Sequence, residues 1–178
     1  MKEIEVKVLN IDVKAIERKL RSFGVKKIKS NELMKEMIFD YPDYRIKKGE
    51  NLLRLRKIGH DNILTFKHSV EKQKFRVAEE YELKVDDGEK MKSIFFGLGL
   101  ILTKTREKKR TTYKFGNVFF EIDRYPQIPT YLELEGPKVE INNWIKRLEI
   151  DPKRVTNMNV SEVIRFYGIE EDGLVFKH

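Results

Sequence analysis

The 178-residue chain contains no cysteine. That absence removes disulfides, thiolate nucleophiles and cysteine-based zinc sites together. No apolar run approaches the ~20 residues of a membrane-spanning helix, and the N-terminus lacks the apolar stretch of a signal peptide. A cytoplasmic protein with no membrane partner is therefore expected, and the Asn159-Val160-Ser161 sequon carries no weight. His60, His68 and His178 are scattered and form no metal-ligand spacing, although His68 follows Lys67 closely enough to meet a ligand. Glutamine occurs only at 73 and 127, which beside abundant Lys, Glu and Ile is a thermophile-like composition. The "GLGL" at 97–100 lacks the following Gly-Lys-Ser/Thr of a phosphate-binding loop and reads as a helix end. With no linker, low-complexity segment or repeat, one domain over 1–178 is expected.

What the chain has is charge. Charged residues make up 37% of it, and the formal net charge of +8 invites an anionic partner: nucleic acid, a membrane surface or a phosphorylated small molecule.

The periodicities alternate between helix and strand. "DVKAIERKLRSFGV" reads as a helix, with Asp12 as N-cap, Ile16, Leu20 and Phe23 as an apolar stripe, and Gly24 as the stop. "DGEKMKSIFFGLGL" and "EINNWIKRLEI" read as further helices, and "SEVIRFYG" as a short one capped by Ser161. Strands are expected at "LMKEMIFDYP", "NLLRLRK", "NILTFKH", "FRVAEEYELKV", "LTKTREKKR", "TTYKF", "VFFEIDRY" and "YLELEG", with turns at Gly59 and Gly116-Asn117. Phe95, Phe96, Trp144, Phe166 and Tyr167 read as core or helix-packing aromatics. The class is α+β.

Nearly every strand carries charge at period two. Glu3, Glu5 and Lys7 alternate with Ile4, Val6 and Val8. Arg54 and Arg56 share a face, Lys67 follows Phe66, and Glu80, Glu82 and Lys84 alternate with Tyr81, Leu83 and Val85. Lys104 pairs with Arg106, Glu121 with Asp123, and Glu133 with Glu135. The signs are sorted, with acid pairs on the first and last strands and basic pairs on the middle ones. Closing such a sheet into a barrel turns these charges inward. A charged lumen needs contents, because buried like charges are unfavourable unless paired or metal-bound. Divalent cations suit the acids and a polyanion suits the bases. Lys108, Lys109 and Arg110 are expected at a solvated strand end.

The ordered set resembles the CYTH superfamily, or triphosphate tunnel metalloenzymes, over most of the chain. Glu3-x-Glu5-x-Lys7 is similar to its N-terminal signature, and "MIFDYPDYRIKKGENLLRLRK" to its second and third strands. "TFKH", "EEYEL", "GLILTKTREKKR", "FFEID" and "YLELEG" follow in the family's order. Three details depart from it: "QIPTYLELEG" lacks a Leu-Gly pair, Ala78 stands where Arg is frequent with Arg76 two upstream, and "FKH" replaces Tyr-Lys-Gly.

The resemblance implies an eight-stranded antiparallel β-barrel with flanking helices that binds triphosphates with Mg²⁺ or Mn²⁺. It implies Glu3, Glu5, Asp123, Glu133 and Glu135 as metal-binding acids, with Glu121 a looser match. It implies Lys7, Arg54, Arg56, Lys67, Lys104 and Arg106 as the triphosphate grip, and Glu5, Lys7, Arg56, Glu80 and Glu82 as the catalytic set. Carboxylates do suit hard Mg²⁺ or Mn²⁺, and arginine forks suit phosphate. The expected activity is metal-dependent hydrolysis of inorganic, thiamine or nucleoside triphosphate. Class IV adenylyl cyclase chemistry on ATP and non-catalytic binding of polyphosphate or RNA ends are the alternatives. Expected partners are a triphosphate-containing small molecule and, for self-assembly, a homodimer mate. Nucleic acid is not expected beyond an RNA 5′-triphosphate end.

Overall fold

In the computed structural model, which describes residues 2–177, the period-two stretches pair into one antiparallel sheet that closes on itself. β1 (Lys2–Val8) leads into α1 (Val13–Ser22), β2 (Lys26–Asp40), the single-turn α2 (Arg45–Lys48), β3 (Asn51–Ile58), β4 (Asp61–Lys72) and β5 (Arg76–Val85). Then come α3 (Gly88–Gly97), β6 (Ile101–Phe115), β7 (Val118–Arg124), β8 (Tyr131–Glu135) and α4 (Lys138–Arg147). A 3₁₀ turn (Pro152–Arg154), β9 (Val155–Thr156) and α5 (Val160–Phe166) complete the chain. The strand order is β5-β4-β3-β2-β6-β7-β8-β1, and β1 pairs back onto β5. Eight staves thus close into the expected barrel. β5 takes Lys2–Glu5 of β1, and β9 takes over at Lys7 and Val8.

The apolar core lies outside this barrel, against its helices. Val6, Val8, Phe120, Leu132 and Leu134 turn outward and meet Leu20 of α1 and Ile141 and Trp144 of α4. The Trp144 ring meets Phe120 edge-on at 4.9 Å and Phe115 at 5.3 Å. α1 starts where Asp12 accepts the Ala15 N–H at 3.1 Å, and buries Ile16 and Leu20 on one stripe. α3 covers β2 and β3 by setting Phe95 and Leu100 on Phe39 and Leu55. Behind α5, the tail buries Leu174 with Val163, Ile164 and Tyr131. Where helices cover the outer apolar faces of β1, β2, β3, β7 and β8, the charged faces are left to line the lumen.

The structure departs from sequence expectation at several points. "LTKTREKKR" and "TTYKF" form one continuous strand, β6, because its period-two pattern is never interrupted. Asn159, not Ser161, caps α5: its side chain accepts the Glu162 N–H at 3.0 Å, while Glu162 accepts the Asn159 N–H at 2.8 Å. Tyr81 and Leu83 stand exposed, since β5 leaves β1 after Glu79 and carries no helix over that end. Phe96 and Phe166 are also more than half exposed, at helix ends beyond the packed stripe. Among the described residues no helix is long and apolar enough to cross a membrane.

Candidate active site

The lumen has two walls of opposite character. β7, β8, β1 and β5 are contiguous and bring Glu121, Asp123, Glu133, Glu135, Glu3, Glu5, Glu80 and Glu82 to one side. β4, β3, β2 and β6 form the other side, which carries Lys67, Arg54, Arg56 and the row Lys104, Arg106, Lys108 and Arg110. At ~3.4 Å per residue that last row is about 20 Å long. All the sequence-predicted residues except Asp123 line a single cavity of about 530 Å³. Asp123 is fully buried behind it, held by Lys108 at 2.9 Å and by Arg110 at 2.5 Å.

Most of the charges are paired across the lumen. Lys7 bridges Glu5 at 2.7 Å and Glu133 at 2.9 Å. Burial alone would pull its ammonium down, but Glu133 and Glu5 overcome this and hold it above its ordinary value. Lys67 donates to both oxygens of Glu3, at 2.9 and 2.8 Å, and lies 3.2 Å from Glu80. Arg76 reaches Glu5 at 3.1 Å. Arg56 donates to Glu82 at 2.9 Å, and the same oxygen takes the Thr65 hydroxyl at 2.9 Å. Glu82 is nevertheless exposed, at the lumen's mouth. The Nε groups of Arg54 and Arg56 are buried with no hydrogen-bond acceptor. Two buried donors on the basic wall are thus left without a partner.

On the acidic wall two cross-strand pairs oppose like charges. Glu5 lies opposite Glu135, and Glu121 opposite Glu133. Directly opposed side chains sit about 5 Å apart, where like charges repel. Glu135 forms no ion pair among the described residues. Burial, followed by Glu3, Glu121 and Glu133, pushes its carboxyl up to about 8. Burial likewise raises Glu121 to about 7, against the pull of Arg110. Glu133 goes the other way, because Lys7, Arg110 and Lys108 outweigh its burial and hold it well below the usual range.

Among the described residues no three acids or histidines converge into a ready-made ion cage, since several are turned to lysine or arginine. The donor chemistry still fits a hard divalent ion. The oxygens belong to carboxylates, they come from adjacent strands, and the proton-retaining Glu135 is relieved by a cation.

Five site residues escaped the reading of the sequence. Lys108 and Arg110 were expected in solvent, yet both are buried in the lumen, because the alternation of Lys104 and Arg106 simply continues along β6. That signal was present in the spacing. Arg76 likewise shares period two with Glu80 and Glu82. Glu36 gave no comparable signal, being a lone acid between Met34 and Ile38. It is fully buried, takes Arg106 Nε at 2.6 Å and Arg54 at 3.1 Å, and is held well below the carboxylate range by those guanidiniums despite its burial. Glu171 comes from the C-terminal tail and meets Lys104 and Arg106. His68 faces away from the lumen and is exposed beside Asn51, at 2.6 Å, and His178 lies outside the described residues.

A closed antiparallel barrel with its core outside and an ion-paired lumen inside defines the class of protein. The CYTH domain profile matches residues 1–167, and the chain belongs to that family. A Methanocaldococcus jannaschii protein named as a candidate adenylate cyclase is 29% identical over 176 residues, covering 98% of this chain and all of that one. A solved Pyrococcus horikoshii structure superposes with a TM-score of 0.78 at 27% identity, over 90% of this chain and 98% of its own. A Hippeastrum protein, titled as a candidate adenylyl cyclase with a dominant triphosphatase activity, shares the fold with a TM-score of 0.69. It is 16% identical and is covered over 97%, against 94% of this chain.

Proposed function

We propose that this protein hydrolyses a triphosphate compound with the help of Mg²⁺ or Mn²⁺. The observation that carries the reading is the basic wall, whose Arg54, Arg56, Lys67, Lys104 and Arg106 line one cavity with the acidic wall facing them. Arg54, Arg56 and Arg106 offer planar forks to phosphate oxygens, and Lys67, Lys104 and Lys108 add point charges. Lys7, poised between Glu5 and Glu133, follows the charge that develops as the phosphoryl group transfers. Glu3, Glu5 and Glu135, with Glu133 beside them, would hold the divalent ion, and Asp123 keeps Lys108 and Arg110 in place. When bound, that ion supplies neutralisation of phosphate charge and activation of the attacking water. Phosphoryl transfer asks little covalent work of a protein, so positioned charge provides most of the rate. Glu80 and Glu82 stand near the basic wall, where a carboxylate can orient a nucleophile. Family membership supports the reading, and so does the triphosphatase named in the Hippeastrum protein's title.

One panel tests it: inorganic triphosphate, thiamine triphosphate and ATP, each with Mg²⁺ or Mn²⁺, resolving phosphate, pyrophosphate and cyclic AMP. Metal-dependent release of phosphate is expected. Cyclic AMP with pyrophosphate would make it a cyclase instead, and tight binding without turnover would make it a binder.

A further inference from the structure

The C-terminal tail places a carboxylate on the basic wall. Glu171 accepts from Arg106 Nη1 at 2.6 Å and from the Ser161 hydroxyl of α5 at 2.5 Å, and it also ion-pairs with Lys104. The backbone around it is pinned to the edge of β6 that β7 does not cover. Asp172 accepts the Thr105 N–H at 3.0 Å, the Leu174 carbonyl accepts the Glu107 N–H at 2.8 Å, and the Leu174 side chain is buried. A hydroxyl, an ammonium and a guanidinium converging on two carboxylate oxygens also make a seat for two phosphate oxygens. The Glu171 side chain keeps 11% of its surface open to solvent, the side by which it can leave the seat while the pinned backbone stays.

We propose that Glu171 sets substrate affinity by occupying, in cis, the seat of a substrate phosphate on Lys104, Arg106 and Ser161. This rests on the triphosphate reading of the lumen. A ligand phosphate must displace the carboxylate, so apparent affinity equals intrinsic affinity scaled by the fraction of molecules whose seat is open. Two charge-assisted hydrogen bonds and an ion pair keep that fraction small, at or below about one in ten.

The test is calorimetric binding of inorganic triphosphate, without and with Mg²⁺, to wild type, Glu171→Gln, Glu171→Asp and Glu170→Gln. Glu171→Gln removes the competing charge and is expected to tighten binding at least about tenfold. Glu171→Asp keeps the charge but withdraws it by about 1.5 Å, out of hydrogen-bond range of Arg106, and is expected to tighten binding in the same direction. Exposed Glu170 is the control for simple charge removal, and its variant should bind as wild type does. Unchanged or weaker binding by Glu171→Gln overturns the inference while leaving the proposed function standing. So does tightening in Glu171→Gln with none in Glu171→Asp, which would mean long-range repulsion rather than an occupied seat. Failure of wild type and every variant to bind triphosphate overturns the proposed function, and this inference with it.

Discussion

Glu135 makes the acidic wall measurable. Its native carboxyl titrates near 8, whereas an unfolded glutamate titrates near 4.5. Between those values the native state keeps a proton that the unfolded state has lost, so stability falls as pH rises from about 5 to 8. The full displacement corresponds to roughly 5 kcal/mol, and relaxation of the neighbouring acids brings the expected loss to about 2–5 kcal/mol. Glu121, near 7, adds to the same fall but completes its share earlier. Glu135→Gln cannot ionise. Its stability should match wild type at pH 5, fall less across the window, and exceed wild type by about 2–5 kcal/mol at pH 8.5. Urea denaturation with chelator present, at half-unit pH steps, measures this directly. Mg²⁺ should then restore stability to wild type far more at pH 8 than at pH 5.5, because a cation replaces the proton. Parallel pH profiles for wild type and Glu135→Gln would refute the assignment of an uncompensated carboxylate on this wall.

Other expectations follow from particular contacts. Arg56→Lys keeps the charge but loses the fork, and phosphate release should drop on the order of tenfold to a hundredfold in a steady-state assay. Glu36→Gln leaves Arg54 and Arg106 buried without their shared anion, so it should cost about 3–5 kcal/mol by urea midpoint. Lys109→Ala should be nearly silent in melting and in turnover, since among the described residues its side chain meets the Phe176 ring at 4.8 Å and forms no ion pair, whereas Arg110→Lys should lower both. Trp144→Ala removes the ring on which Phe23, Phe115 and Phe120 converge, at about 3–5 kcal/mol in the same denaturation assay.

The inner faces of β1, β3, β4, β7 and β8 were legible because alternation is local: Glu3-x-Glu5-x-Lys7 shows its two faces to anyone counting by twos. What the pattern leaves open is where a strand stops. Breaking β6 after Arg110 misplaced Lys108 and Arg110, although nothing in "KKRTTYKF" interrupts the period. Glu36 needed the register itself, since its importance arises only when β2 sets it opposite both Arg56 and Arg106. Glu171 lies 65 residues from Arg106, in a segment with no period at all, and only the fold brings them together. Ser161 and Asn159 are comparable caps by residue type, but Asn159 completes a reciprocal box with Glu162 and wins. The net charge of +8 is not concentrated in the cavity: twelve basic and eleven acidic side chains line it among the described residues, so the surplus sits mostly on the outside.

The closure of the barrel has a consequence for how the chain reaches this state. β1 precedes the other strands, yet its partners include β5 and β8, so its pairings at Glu5–Glu135 and Val8–Leu132 join residues 130 and 124 positions apart. Such distant pairings are slow to form, because the whole intervening loop must be closed before any of them contributes. Until then Glu3, Glu5 and Lys7 remain hydrated, and their dehydration is deferred to the step in which the last stave docks. Refolding is therefore an electrostatic event at its end, when Lys7 leaves water to meet Glu133. Its rate should respond to ionic strength far more than the local packing of Phe120 on Trp144, which needs no charge to find a partner.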